Sequence, residues 1–402
     1  MGCSTSRAAS RSAADTPRPW TALPPDLLLE VSGRLRHAAD IVRFHAVCRS
    51  WRDAGALLSR PKCLPWVLTS RKNGQMLHSV VDFNRPLETS HSFPDLVLAE
   101  PSGAPPANNN NRNLVASSDG TAAWLFVAHP EPRLINVLTG AITSLPPFPD
   151  EVSMSMKNFR GVIYGDDTVF LHTFINKPLS YRYEAPFIAA ILHPGDVTWL
   201  VRMKRLKLRE QPYAIYHNGK VLVLTGNFPG RLLMMMDFET NGGDIDSNLE
   251  LRGDVCWDIN YFHECSYFLE SHGELLLASI LTKRCSIRNT RDDVHPYRVT
   301  LHTMRKELGS GKMQWVEKDW RNLGDHALFL GSPASFTMNV DEANGCAYFV
   351  LGAGVFRYSF INNETKLVKW LPSGCRVGDE CMWLCPNLSF TPVHEIKEML
   401  EA

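Results

Sequence analysis

Carboxylates come close together at two places in this 402-residue chain, at Asp166-Asp167 and at Asp254 with Asp258. Two such groups facing one cleft, about 5–10 Å apart, are the equipment of a glycoside hydrolase. Acidic turn residues, whose side chains accept nearby backbone N–H groups, account for them more simply. Cys256, His263 and Cys265 offer metal-ligating atoms, as do Cys375, Cys381 and Cys385. Neither set has the paired short spacing of a zinc knuckle, so buried structural thiols are the expected reading and no metal site is assigned. The stretch VRMKRLKLRE at 201–210 carries five cations partly interleaved with Val201, Met203, Leu206 and Leu208. It reads as the solvated face of a strand, with a nuclear signal or anion patch as the alternative. GxSxG, HExxH, Walker and GxGxxG motifs are missing where a strand, turn and helix would support them, so catalytic residues and cofactors are both expected to be none.

The segment MGCSTS fits the pattern for myristoylation at Gly2, with Cys3 placed for a second acyl chain. Each buried methylene contributes about 0.8 kcal/mol, so myristate alone holds marginally and Cys3 would supply the second anchor. Arg7, Arg11 and Arg18 would add attraction to an anionic surface. The alternative is a flexible leader: residues 1–19 are small, polar and broken by Pro17 and Pro19, and bury too little to offset their ordering entropy.

The elements that would position any of these groups follow from patterning. Hydrophobic residues at 44% and charged residues at 21% are ordinary globular values. Lys plus Arg balances Asp plus Glu, 42 against 42, which leaves no global field to attract nucleic acid. Ten cysteines without a CxxC pair fall short of a disulfide scaffold and suit a reducing, cytoplasmic or nuclear setting, with acylation as the route to a membrane. Residues 20–60 read as helical. Leu27, Leu28, Val31 and Leu35 recur at helical spacing after Pro24 and Pro25, and Asp40 can cap a second helix on which Ile41, Phe44, Cys48 and Trp51 share a face. Beyond Pro65 short apolar runs alternate with Gly, Asn, Asp and Pro, which predicts strands near 123–127, 187–192, 221–224, 275–280, 347–350 and 355–359. Asp119-Gly120, Tyr164-Gly165-Asp166, Asn218-Gly219 and His272-Gly273 read as turns. Their glycines stand 45, 54 and 54 residues apart, near the length of a propeller blade. The expected fold class is therefore a small all-α hairpin followed by an all-β domain over 66–395, a β-propeller of six to eight blades, with a β-sandwich pair as the rival.

The run LPPDLLLEVSGRLRHAADIVRFHAVCRSWRDA resembles an F-box. Leu23, Pro24, Leu27, Leu28, Val31, Leu35, Ile41, Val47, Cys48 and Trp51 occupy the matching positions, and Arg36 departs from the family's usual proline. A unit of about 35 residues cannot bury its own apolar face, so a partner must cover it. The resemblance implies that this partner is the Skp-type linker protein of a cullin ubiquitin ligase, with the ten residues as its docking set. The rest of the chain resembles the β-propeller of KIB-type plant F-box proteins. The resemblance is carried by LVASSDGTAAW at 114–124, INVLTGAITSLPPFP at 135–149, YHNGKVLVLT at 216–225, SYFLESHGELLLAS at 266–279 and LGDHALFLGSPASF at 323–336. It implies a non-catalytic adaptor that recruits an unidentified protein for ubiquitination. The competing reading is an acylated, membrane-tethered scaffold without a ligase role.

Overall fold

The computed structural model describes residues 23–34, 44, 47–48, 51, 65–71, 74–79, 112–127, 131–136, 141–149, 159–174, 184–207, 213–224, 233–237, 260–283, 294–295, 297–306, 313–340, 345–371 and 381–385. The chain divides into two compact units. One holds the helical residues and the other, Leu64–Pro386, holds every described strand.

The helix Pro25–Arg34 begins as its sequence prescribes. Proline suits the first helical position, where its missing N–H would have had no partner. The Leu28 amide donates to the Pro24 carbonyl at 3.2 Å and closes the first turn. Asp26 near the start and Arg34 at the end oppose the helix dipole, and Glu30 pairs with Arg34 one turn on at 2.5 Å.

The larger unit is built from antiparallel meanders. Strands Arg112–Ser117, Ala123–Val127, Arg133–Asn136 and Ile142–Ser144 form one, and Arg160–Ile163, Val169–Phe174, Glu184–Leu192 and Leu200–Lys207 a second. They merge into one eight-stranded sheet because their first strands pair in parallel, Val115 with Gly161 and Ser117 with Ile163. Tyr213–His217, Lys220–Leu224 and Leu233–Asp237 make a three-stranded sheet. Tyr261–Ser271, Glu274–Lys283, Tyr297–Lys306 and Met313–Glu317 make a four-stranded one. Cys346–Leu351, Gly354–Ser359 and Glu364–Trp370 form a further meander, extended by Val294–His295 on one side and by the hairpin His326–Leu330 with Phe336–Asn339 on the other. The last sheet joins distant parts of the chain: Trp66–Arg71 pairs with Gly74–Ser79 and, on its other side, with Cys381–Leu384. The small, repeated meanders are those of a β-propeller. The expected strands are all present, some of them longer than the sequence pattern suggested: the run 275–280 belongs to Glu274–Lys283.

All four of the expected turns include left-handed backbone. Asn218-Gly219 (φ 50° and 75°) and His272-Gly273 (φ 52° and 75°) both have positive φ at their two central residues, which matches the twist of the strands they join. At Tyr164–Thr168 the left-handed residue is Asp167 (φ 64°), not the glycine, because Asp166 ties the turn by accepting from the Thr168 amide at 3.0 Å and its hydroxyl at 2.9 Å. Gly120 is the most constrained: its φ is 72°, and a Cβ there would lie 2.0 Å from Phe336 Cε1. Replacing Gly120 with alanine combines overpacking with left-handed strain, and urea denaturation is expected to read a loss of about 2–4 kcal/mol.

Aromatic rings fill the core between strands. Phe148 stacks on Trp199 at 4.7 Å beside Phe126 and Phe159, and the Trp199 indole donates to the Pro146 carbonyl at 2.8 Å. In a second cluster Phe329 stacks on Tyr348 at 5.1 Å and meets Trp383 edge-on at 5.4 Å. The loop 331–335 beside that cluster is mostly buried, so its polar groups need internal partners. Ser335 Oγ both donates to the Gly331 carbonyl (2.9 Å) and accepts from the Gly331 amide (3.0 Å). The Tyr213 hydroxyl donates to the Pro333 carbonyl at 2.9 Å, and the Ser332 amide to the Cys381 carbonyl at 3.2 Å. That demand for satisfied polar atoms gives a physical reason for the distinctive wording of 323–336.

Candidate functional site, an exposed apolar face on the helical unit

Two apolar stripes run along the helix Pro25–Arg34. Leu28 and Ser32, four residues apart, are buried at 0% and 1% exposure. Leu28 packs with Phe44, and Leu23 and Trp51 lie against that pair. The Phe44 and Trp51 rings meet at 4.7 Å between centroids, tilted by 42°. This is the internal core of the unit. The neighbouring stripe faces outward: Leu27 is 44% exposed and Val31 43% exposed, and Val47 from the second helical stretch is 50% exposed. An exposed leucine by itself is ordinary, but several large apolar side chains exposed on a unit this small mark a candidate interaction surface.

The ten expected docking residues therefore separate. Leu27, Val31 and Val47 are on the surface, Pro24 is exposed at the helix entry, and Cys48 is half-buried. Leu28 is fully buried against Phe44, and Leu23 and Trp51, partly buried, pack against the same pair. Leu35 and Ile41 lie outside the described residues, as do Gly2, Cys3, Arg36 and Asp40. Phe44, absent from the docking set, is the residue that completes the core. The signal for the split was present in the sequence, since Leu27/Val31 and Leu28/Ser32 are two separate i, i+4 rows about 100° apart.

The other candidate groups find structural employment. Asp166 holds its turn, and the Thr168 amide and hydroxyl bonds keep its carboxyl below the usual range. Asp254, Asp258, Cys256 and Cys375 lie outside the described residues. His263 sits in the strand Tyr261–Ser271, with Nε2 2.7 Å from Ser266 Oγ, and Ser266 Oγ is 2.7 Å from Ser279 Oγ. Burial lowers the His263 pKa. The Cys265 thiol points to the Tyr267 hydroxyl at 3.6 Å, and the Cys385 thiol to Met338 Sδ at 3.4 Å. Cys381 opens the closing strand Cys381–Leu384. Among the described residues no three potential ligands gather to hold a metal ion. The cationic stretch forms Leu200–Lys207, the edge strand of the eight-stranded sheet, where Met203 and Arg205 are exposed. Charge on an edge strand discourages pairing with another chain, which gives these cations a structural purpose.

Two family models match the sequence. One, described as F-box-like, covers residues 20–59, and the other, described as the KIB1-4 beta-propeller, covers residues 92–360. No curated protein matches the chain. Solved structures with similar backbones include the oligogalacturonate lyase of Vibrio parahaemolyticus, with 9% identity, 65% of this chain and 68% of that chain covered, and a TM-score of 0.33. They also include a levansucrase variant from B. megaterium, with 11% identity, coverage of 68% and 85%, and a TM-score of 0.26. A lignostilbene dioxygenase from Pseudomonas brassicacearum matches at 9% identity, coverage of 69% and 64%, and a TM-score of 0.31.

Proposed function

The chain belongs to the KIB1-4 beta-propeller family, and from that premise, with the F-box-like helical unit at residues 20–59, we propose that it is the substrate-recognition adaptor of a cullin-type ubiquitin ligase. The observation that carries the proposal is the outward apolar pair Leu27 and Val31, with Val47 also exposed, beside an independently packed Leu28–Phe44 core. Such a unit keeps its shape while offering apolar surface to the Skp-type linker protein, in the manner of a helix face entering a groove. The β-propeller then presents its loops to the protein to be ubiquitinated. No covalent step occurs on this chain. Its contribution is proximity, which holds a substrate lysine near the ubiquitin-charged enzyme so that their encounter becomes effectively intramolecular. The test is co-purification of the full chain with the linker protein. A stable complex is expected, and failure to form one with a folded chain rejects the adaptor role.

The place of action is a separate question, raised by Gly2 and Cys3. Acylation there would put the adaptor at a membrane, since two chains hold stably where one does not. Fractionation of cells expressing a Gly2→Ala variant decides it. Movement from the membrane to the soluble fraction is expected, and a protein that is soluble with and without the change has no such anchor.

A further inference from the structure

His172 lies in the strand Val169–Phe174 and is 1% exposed. Among the described residues neither of its ring nitrogens has a hydrogen-bond partner. The imidazole is stacked on Phe170, 5.2 Å away and 21° from parallel, and meets Phe187 at 6.1 Å. Phe170 and Phe187 belong to the apolar layer between the second meander and the three-stranded sheet, whose Ala214, Val221 and Val223 pack from the opposite side. Cross-strand register puts Arg160 beside His172 on one side and Ala189 on the other. Other titratable groups border this layer: Tyr164 and Tyr216, the Tyr164 hydroxyl accepting from the Tyr216 amide at 2.9 Å, His193 with its ring 6.1 Å from that of Tyr216, and Arg202, paired with Ala189 one strand further out. The one charge that acts on the imidazole among the described residues is the Arg160 guanidinium, a cation.

A neutral imidazole is tolerable in this position, although both of its nitrogens go unsatisfied. A protonated one would be a buried charge with two unsatisfied donors, set beside a like charge. Burial, with the Arg160 charge adding to it, pushes the His172 pKa down to about 3.

We propose that His172 makes the layer between strands 160–207 and the three-stranded sheet 213–237 an acid-sensitive seam, which opens as the pH falls. The sign follows from proton binding. With the seam closed the ring stays neutral across the range of interest. Once it opens, the ring meets water and regains an ordinary pKa of about 6.5. The open form therefore binds more protons, and acid favours it. The open-to-closed ratio scales as one plus the proton occupancy ratio of the open form. That factor is about 1.3 at pH 7 and roughly 30 at pH 5.

Native-state hydrogen exchange, corrected for the intrinsic pH dependence of the chemistry, reads the effect directly. Amides in Val169–Phe174 and Lys220–Leu224 are expected to open about 25-fold more often at pH 5 than at pH 7. His172→Phe keeps an aromatic ring between Phe170 and Phe187 and should abolish that dependence in these strands. The strands Tyr261–Ser271 and Tyr297–Lys306 carry their own buried histidines, His263 and His302. Their acid response should persist in the variant, which separates a local seam from general acid destabilisation. An unchanged pH dependence of Val169–Phe174 in His172→Phe overturns the proposal. If that variant does not fold, NMR titration of His172 in the native chain decides alone, since a ring that titrates near pH 6.5 while the fold is intact is not sealed in the seam.

Discussion

Replacing both Leu27 and Val31 with aspartate should abolish binding to the linker protein while leaving the chain folded. The two side chains project from one stripe of the helix Pro25–Arg34 and are about half exposed, so charges are accommodated there in the free protein. In a complex the same positions would be covered, and each buried, unpaired carboxylate would cost several kcal/mol. At about 1.4 kcal/mol per decade, the pair should weaken binding by well over a hundredfold. Leu28→Asp serves as the contrast. Leu28 is enclosed by Phe44, so a charge there should unfold the helical unit itself and lower the far-ultraviolet helical signal along with binding. Binding measured by calorimetry that stays unchanged in the Leu27→Asp, Val31→Asp variant would sink the docking assignment. Loss of helix in that variant would show that this stripe is part of the core.

Trp383→Ala is expected to be the most destabilising single substitution in the β-propeller. The indole is fully buried, meets Phe329 edge-on at 5.4 Å, and donates from Nε1 to the Leu330 carbonyl at 2.9 Å. Removing it leaves a cavity and an unsatisfied carbonyl, for which about 3–5 kcal/mol is the usual cost. Domain stabilities of about 5–15 kcal/mol leave little margin after such a loss. Urea denaturation should show a transition at much lower denaturant, with early proteolysis of the body. Ile361→Ala is the control. That side chain is 63% exposed, so a change within about 0.5 kcal/mol is expected. A Trp383→Ala chain as stable as the control would mean that strand Cys381–Leu384 does not close the sheet.

Local chemistry made part of this molecule legible from its sequence. LLLAS at 275–279 could bury itself as a strand, and Asn218-Gly219 and His272-Gly273 could reverse the chain, because in each case neighbouring residues suffice to decide the conformation. Tyr164-Gly165-Asp166 does reverse the chain, with Asp167 and not Gly165 as the left-handed residue, since side-chain bonds from Asp166 hold the turn. Pairings between distant segments left no local trace. Nothing in CMWL at 381–384 marks it as the partner of Trp66–Arg71, and nothing in Leu114–Ser117 foretells a parallel neighbour at Gly161–Ile163. The candidate docking face was legible as a motif. That Leu27/Val31 and Leu28/Ser32 form two separate rows could be read from their spacing, but which row faces inward is decided by the packing of Phe44 on Leu28.

The sheet that pairs Trp66 with Leu384 has a consequence for the birth of the protein, because these partners stand 318 positions apart in the chain. At a translation rate of about 5–20 residues per second, the strand Trp66–Arg71 leaves the ribosome on the order of 15–60 s before its second neighbour is made. During that interval one of its edges and the surface destined for Trp383 are bare, and an unpaired strand edge is a template for the wrong partner. A nascent chain of this design should depend on chaperones for that interval, and should stop depending on them once residues 381–384 emerge.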